Sequence, residues 1–231
     1  MTAVRAILRF IGSVLAVSGV LLLLDAGLTL AWQEPVSALM ATRSQAVLDD
    51  QLEREFAAVA RDDRQPARAR GRVAMRAAAD RYARRLRAGR GIGRISMPAL
   101  GRRYAMVHGT DTRTLRKGPA HYDDTPLPGQ GGTIGVAGHR TTYLAPFRTI
   151  DRLRPGHQIV ITMPYGRFTY RVARTRIVRP DAVWVKRSVG YEQVILSACH
   201  PLYSAAKRIV VFARLIAAEP LDQPDRATRA T

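Results

Sequence analysis

Residues 10–32 read FIGSVLAVSGVLLLLDAGLTLAW, and no other feature limits what this chain can be so strongly. A helix that crosses a bilayer needs about 20 consecutive apolar residues. This run has 23, with Arg5 and Arg9 just before it. Basic residues favour the cytoplasmic side, so residues 1–9 are expected inside and everything after Trp32 outside. Asp25 is costly in hydrocarbon, but it lies near the outer end, where partial solvation lowers the cost. A cleaved signal peptide is the rival reading. The stretch is long for one and lacks a good small-residue cleavage site, so the expectation is an uncleaved, single-pass anchor in the cell membrane.

The character changes from residue 33 to about 90. SALMATRSQAVLDDQLEREFAAVARDD carries apolar residues at three-to-four spacing among many charges, and reads as helix. Gln65-Pro66 interrupts it, and ARARGRVAMRAAADRYARRLRAGR resumes as an Ala/Arg-rich helix that should stop at Gly89 and Gly91. The expectation is a solvated, basic, helical stalk. A surface that binds anionic lipid or wall polymer is the alternative.

Residues 91–217 carry a different signal: short apolar runs between turn residues. Candidate strands are 93–97, 102–107, Thr133–Ala137, Gln158–Met163, 167–176, 193–197 and 208–216, with GPAHYDDTPLPGQGG as a loop and 143–153 as a short helical turn. Seven or eight short strands in this length predict a mostly β domain, a closed barrel or a sandwich. Residues 218–231, ending LDQPDRATRAT, read as a disordered tail.

Net charge and cysteine content then narrow the function classes. The net charge of +19 usually signals an anionic partner. Arginine supplies 34 of the 37 basic residues, which is as readily a coding bias as a chemical choice. No zinc-ligand spacing, helix-turn-helix pattern or RNA-binding aromatic signature accompanies the charge, so nucleic acid is not expected as a partner. The single cysteine, Cys199, excludes an intramolecular disulfide and a multi-cysteine metal site. No metal and no cofactor are expected.

Three groups stand at strand ends. QVILSAC places Cys199 just beyond one apolar run, TIGVAGHR places His139 beyond another, and RIVVFARL opens on Arg208. A thiol is mostly protonated at neutral pH, and a neighbouring imidazolium or guanidinium stabilises the nucleophilic thiolate. A histidine can protonate a leaving amine, and an arginine can donate to an oxyanion. From spacing alone, however, a lone cysteine at a strand end is more often structural, and the base stays open between His139 and His200. His108, His121 and His157 lie near Gly or Pro in turns, and Asp123 and Asp124 read as solvent-facing.

GPAHYDDTPLPGQGGTIGVAGHRTTYLAPF together with LSACHPLYSAAKRIVVFARL resembles the sortase family, over roughly residues 93–215, and is most similar to the class E type of high-GC Gram-positive bacteria. The resemblance implies an eight-stranded sortase-type β-barrel with short helices, following a transmembrane helix and a stalk. It implies Cys199 as nucleophile, His139 as general acid/base and Arg208 as oxyanion or substrate stabiliser. Tyr143 and Thr141 in HRTTYLAPF, with Ser197 and Ala198 before the cysteine, are the implied substrate contacts. A common form of the motif has Thr-Thr where this chain has Ser197-Ala198. The implied reaction is cysteine transpeptidation: cleavage of an LAxTG- or LPxTG-like sorting signal on secreted proteins between Thr and Gly, then transfer to an amine of a peptidoglycan precursor such as lipid II. A pilin lysine is the other implied acceptor. An L,D-transpeptidase is disfavoured because His139 and Cys199 are 60 residues apart and no Ser-His-Gly-Cys motif exists. A non-enzymatic β-domain that binds wall or membrane surfaces remains the alternative.

Overall fold

The structure is a computed structural model that describes residues 2–32, 35–61 and 71–221. Helix α1 (Thr2–Trp32) contains the apolar run. Its stretch Arg5–Gly27 is long and apolar enough to cross a membrane, and none of it is buried against the rest of the protein. Helices α2 (Pro35–Arg61) and α3 (Arg72–Ala83) follow. The expected break at Gln65-Pro66 lies outside the described residues.

Eight strands then close a barrel: β1 (Gly91–Met97), β2 (Arg102–His108), β3 (Ala120–His121), β4 (Thr133–Ala137), β5 (Gln158–Met163), β6 (Gly166–Val178), β7 (Gln193–His200) and β8 (Lys207–Glu219). Their order around the wall is β1-β2-β3-β4-β7-β8-β6-β5. Two pairings are parallel, β2 with β3 and β4 with β7, and the rest are antiparallel. Alternate side chains fill the barrel, among them Ile134, Val136, Val194, Leu196, Ile209, Val211, Phe168 and Tyr170. That alternation is the period-2 pattern of the sequence.

Three expectations change in detail. The two-residue strand β3 lies inside GPAHYDDTPLPGQGG, too short to leave a periodic signal. Both β6 and β8 run to 13 residues. Strand β8 therefore extends to Glu219, paired with Arg167, so the first residues assigned to a disordered tail belong to the sheet; residues 222–231 lie outside the described residues.

The stalk helices do not stand free of the barrel. Ser37, Ala41, Leu48, Leu52 and Phe56 are buried along one stripe of α2. Leu48, Leu52 and Phe56 cover the outward side chains Ala105, Val107 and Ala120 of β2 and β3. Gln45 donates to the carbonyls of Ala105 and Lys117 and accepts from the Ala105 N–H. Arg94 projects from β1 into this interface, bonds Asp49 and Glu53 at 2.9 Å each, and lies under the Phe56 ring. The three-to-four spacing read as a solvated stalk is thus a docking stripe, because its i, i+4 apolar residues meet the outer wall of β1 and β2. Helix α3 closes one end of the barrel: Met75 and Ala79 join the core, and Gln130 donates to Asp80. Burial on that scale explains an Ala-rich helix with so many arginines on its other face.

A half-buried carboxylate pins the loop at the same end. Glu192 accepts from Gly129 N–H, Gly131 N–H and the Tyr170 hydroxyl. The loop PLPGQGG, with Gly129 and Gly131 at positive φ, folds around it.

Candidate active site

The other end of the barrel gathers the expected catalytic groups. Strand β7 continues past Ser197, so Cys199 lies inside the strand and not beyond it. It stands directly opposite Arg208 of β8, in an antiparallel ladder that runs on to His200 and Lys207. Side chains at such opposed positions share one face of the sheet. Here that face is the outside of the barrel, since the flanking Ala198 and Ile209 point into the core.

His139 reaches the same place from β4. Ala137 pairs with Ser197 in parallel register, and the Gly138 N–H donates to the Ser197 carbonyl at 3.0 Å. His139 and Cys199, each two residues further along, therefore lie side by side at the rim. Gly138 is required here: a Cβ would come within 2.5 Å of the Phe147 ring, which packs beneath the loop. Phe147 N–H in turn donates to the His139 carbonyl.

His139 Nε2 is buried and has no hydrogen-bond partner among the described residues. Burial lowers the His139 pKa below the ordinary histidine value, and the nearby Arg116 charge lowers it further. Its ring lies 5.1 Å from the Tyr143 ring, and the Arg116 guanidinium sits 5.5 Å from the other ring's centre. Tyr143, Leu144 and Ala145 are consecutive residues with φ of 51°, 64° and 41°. Such backbone costs about 1 kcal/mol or more per non-glycine residue and persists where its surroundings enforce it, often at functional loops.

Arg208 is half-buried and donates to the carbonyls of Ala205 and Lys207 at 2.8 and 2.9 Å. The loop between β7 and β8 thus holds the guanidinium at the rim beside Cys199. The outer face below it is apolar: Ile195, Val210 and Phe212 pack against Val178 and Val185, and Trp184 stacks on Phe212. The segment that carries Trp184 and Val185 packs over this outer face. Thr133 fastens it by donating to the Arg187 carbonyl at 2.7 Å.

The remaining expected residues divide. Tyr143 is at the rim, and Thr141 is half-buried in the same loop. Ser197 faces the outside of the barrel, where its hydroxyl bonds the Tyr122 hydroxyl at 3.1 Å. Ala198 does not share that face. Its side chain is buried in the barrel core, because strand alternation sends it opposite to Ser197 and Cys199, and only its backbone can meet a ligand. His200 lies beside Arg140, with Nδ1 3.3 Å from that guanidinium. Asp123 and Asp124 belong to no group of three or more metal-ligating side chains among the described residues. Asp124 instead pairs with Lys186.

Sequence reasoning passed over Arg140, although it stood in the quoted GHR motif. Only 3 % of its side chain is exposed. The guanidinium bonds the carbonyls of Cys199 and Arg148 at 3.3–3.4 Å and pairs with Asp151 at 3.2 Å. One residue thereby links the His139 loop, the Cys199 backbone and the 3-10 turn Ile150–Arg152. An arginine next to a histidine gives no sign of burial in a chain this rich in arginine. Tyr122 was missed for a similar reason, since only the fold brings it to Ser197.

A family model described as the sortase domain matches residues 95–216. Sortase D of Bacillus subtilis is 32% identical over 132 residues, covering 55% of this chain and 65% of that protein. Sortase SrtE1 of Streptomyces coelicolor is 26% identical over 148 residues, covering 57% of this chain and 42% of that protein. The chain thus spans less than two thirds of the length of either curated relative. Among solved structures, sortase E of Streptomyces avermitilis is 31% identical with a TM-score of 0.54, covering 61% of this chain and 98% of that one. Identities to proteins called sortase D and sortase E are alike, so they mark the family more sharply than the subclass. With the matched domain taking in the whole barrel wall but the start of β1 and the end of β8, the chain belongs to the sortase family.

Proposed function

We propose that this protein is a membrane-anchored cysteine transpeptidase that cleaves an LAxTG- or LPxTG-like sorting signal between Thr and Gly and passes the Thr carbonyl to an amine of the cell wall. The observation that carries this reading is the convergence of three chain segments at one rim: Cys199 opposed to Arg208, with the partnerless Nε2 of His139 alongside. An imidazole nitrogen buried without a partner is costly unless a substrate or thiol uses it.

The steps follow from the groups. The Cys199 thiolate attacks the Thr carbonyl and a C–S bond forms. Negative charge gathers on the carbonyl oxygen, where the Arg208 guanidinium donates. Collapse breaks the Thr–Gly C–N bond, and protonated His139 gives its proton to the leaving Gly amine. The acceptor amine then attacks the thioester, His139 takes the amine's proton, the C–S bond breaks, and the Cys199 thiolate is restored beside protonated His139. The strained Tyr143 loop beside His139 suits contact with the residues of the signal that precede the Thr.

The HRTTYLAPF segment supports the class E variant and an LAxTG-like signal. The length and apolarity of Arg5–Gly27 support a membrane span, and Arg5 and Arg9 before the apolar run support an N-terminus inside and a barrel outside the cell. The test is incubation of the full chain in detergent with LAxTG and LPxTG peptides and an amine. Mass spectrometry should find the acyl adduct on Cys199, absent from Cys199→Ala. If neither peptide leaves an adduct, the substrate claim fails; if His139→Ala forms product at the parent rate, the acid/base assignment fails.

A further inference from the structure

We infer that Ser37 and Gln45 of α2 are positioning residues for His139, holding the two segments that set the surroundings of its ring; this rests on the reading of His139 as the acid/base group. The two residues lie on the docking stripe with Ala41 between them, at a spacing of four residues each. That spacing puts all three on one helix face. Ser37 stands at the rim, where its hydroxyl lies 3.5 Å from the Tyr143 N–H. Gln45 follows two turns on, and its side-chain amide is fully engaged. Nε2 donates to the carbonyls of Ala105 and Lys117 at 3.1 and 2.7 Å, and Oε1 accepts from the Ala105 N–H at 2.8 Å. Both amide protons and the oxygen are used, which fixes the orientation of the group.

Lys117 is the residue after Arg116, which caps the C-terminus of helix α4 (Thr112–Leu115). Gly118 comes next, at φ 155°, and a Cβ there would fall 2.2 Å from Gln45 Nε2. The glycine lets the amide reach the Lys117 carbonyl. The Arg116 guanidinium in turn sits 5.5 Å from the centre of the Tyr143 ring, and that ring lies 5.1 Å from the His139 ring. One helix therefore grips the backbone beside Arg116 and the backbone of Tyr143 itself. Tyr143 opens three consecutive residues in left-handed backbone, a conformation that its surroundings must enforce.

Docking alone needs no glutamine, since Leu48, Leu52 and Phe56 already cover β2 and β3. The polar end of the stripe adds a grip on the loops around His139. Burial and the Arg116 charge both press His139 toward its neutral form. Both causes depend on those loops keeping their places. The other charged and titratable groups at this end are held by parts of the protein that α2 does not touch. Arg208 is fixed by the Ala205 and Lys207 carbonyls, and Cys199 by its ladder with β8. Arg140 binds the Cys199 and Arg148 carbonyls and Asp151, with His200 beside it, and Arg148 donates to the Tyr203 hydroxyl. Asp111 caps the start of α4, and Lys117 Nζ donates to the Gly89 carbonyl. A loss at Gln45 or Ser37 thus reaches His139 through Arg116 and Tyr143.

The test is an NMR titration of the His139 ring proton in the full chain in detergent, the signal being identified by its loss in His139→Gln. Gln45→Met keeps the length of the side chain and removes the amide, and Ser37→Ala removes one hydroxyl. Each should raise the His139 pKa toward the ordinary value, and the limb of the Cys199 acylation profile that reports His139 should move up in pH with it. In an Arg116→Gln background Gln45→Met should add a smaller rise than in the parent, because the cation it positions is gone. An unchanged or lowered titration overturns the role of Gln45 in the first variant and of Ser37 in the second. A rise of equal size in both backgrounds overturns the route through Arg116. Should Gln45→Met fail to fold, Gly118→Ala drives a methyl against the same amide, with the same rise expected and the same result overturning the inference. The titration needs no peptide, so a parent chain that leaves no adduct on Cys199 defeats the transpeptidase reading while the hold of α2 on His139 is still decided.

Discussion

Replacing Arg140 by methionine should damage stability and catalysis separately, and the sizes can be worked from its contacts. Methionine keeps the length and the apolar stem but removes the charged donors. Two backbone carbonyls, of Cys199 and Arg148, lose them. Hydrogen bonds to charged groups are worth about 1.5–3 kcal/mol each, and at 3.3–3.4 Å these belong at the low end. The Asp151 carboxylate is about half exposed, so its pair adds no more than roughly 0.5 kcal/mol after screening. The total is about 3 kcal/mol, which for a domain of this size lowers Tm by roughly 10 °C. Thermal melts of the parent, Arg140→Met and Arg140→Lys chains in the same detergent measure it, with lysine intermediate because it lacks the planar fork. Catalysis is read well below the lowest Tm, where every variant is folded. There acylation of Cys199 by peptide should fall in kcat with little change in KM, since the loss is in the placement of the thiol and not in the surface that binds the peptide. A Tm within about 1 °C of the parent, or an unchanged kcat, would refute the reasoning that this side chain holds the Cys199 backbone.

Other outcomes follow from the same structure. Arg116→Gln removes a cation that suppresses protonation of His139, so the His139 pKa should rise toward the ordinary value; an NMR titration of its ring proton checks this, and a downward shift contradicts the assignment. His121 is buried and held to about 4. It donates from Nε2 to the Pro126 carbonyl at 3.0 Å and accepts at Nδ1 from His108. Its folded pKa lies below the unfolded 6.5, so the unfolded chain binds the extra proton first. Stability is full above pH 6.5 and is lost as pH falls from there toward 4, by roughly 3 kcal/mol from this group. Melts across that range should show the loss, and His121→Asn should flatten it. Leu52→Ala should cost about 2–5 kcal/mol of the α2 contact and speed proteolysis within α2; cleavage at the parent rate would mean that the helix is held by its polar bonds alone.

The strands with a clean period of two were legible in the sequence, as were the three groups at the rim. Thr133–Ala137 and Gln158–Met163 match the observed β4 and β5 to the residue. What escaped the reading was non-local. Strand β3 exists only because β2 and β4 flank its two residues. The true end of β7 depends on pairing with β8, which carries the ladder through Cys199. The resemblance names Ser197 and Ala198 together, whereas strand alternation sends the two side chains to opposite faces and puts that of Ala198 in the core. Arg140 and Arg94 were lost among 34 arginines, since composition hides which few are buried.

The docked α2 bears on how the protein can be cut. Arg94, only 9 % exposed, has both its carboxylate partners on that helix. A version begun at residue 71 would strand this charge on a bare wall with Ala105, Val107 and Ala120, and would free the Tyr143 loop from Ser37. Such a fragment would tend to self-associate through the uncovered face. A soluble form that keeps its shape must start at or before Ser37, so the useful boundary lies at the membrane surface and not at the start of the barrel.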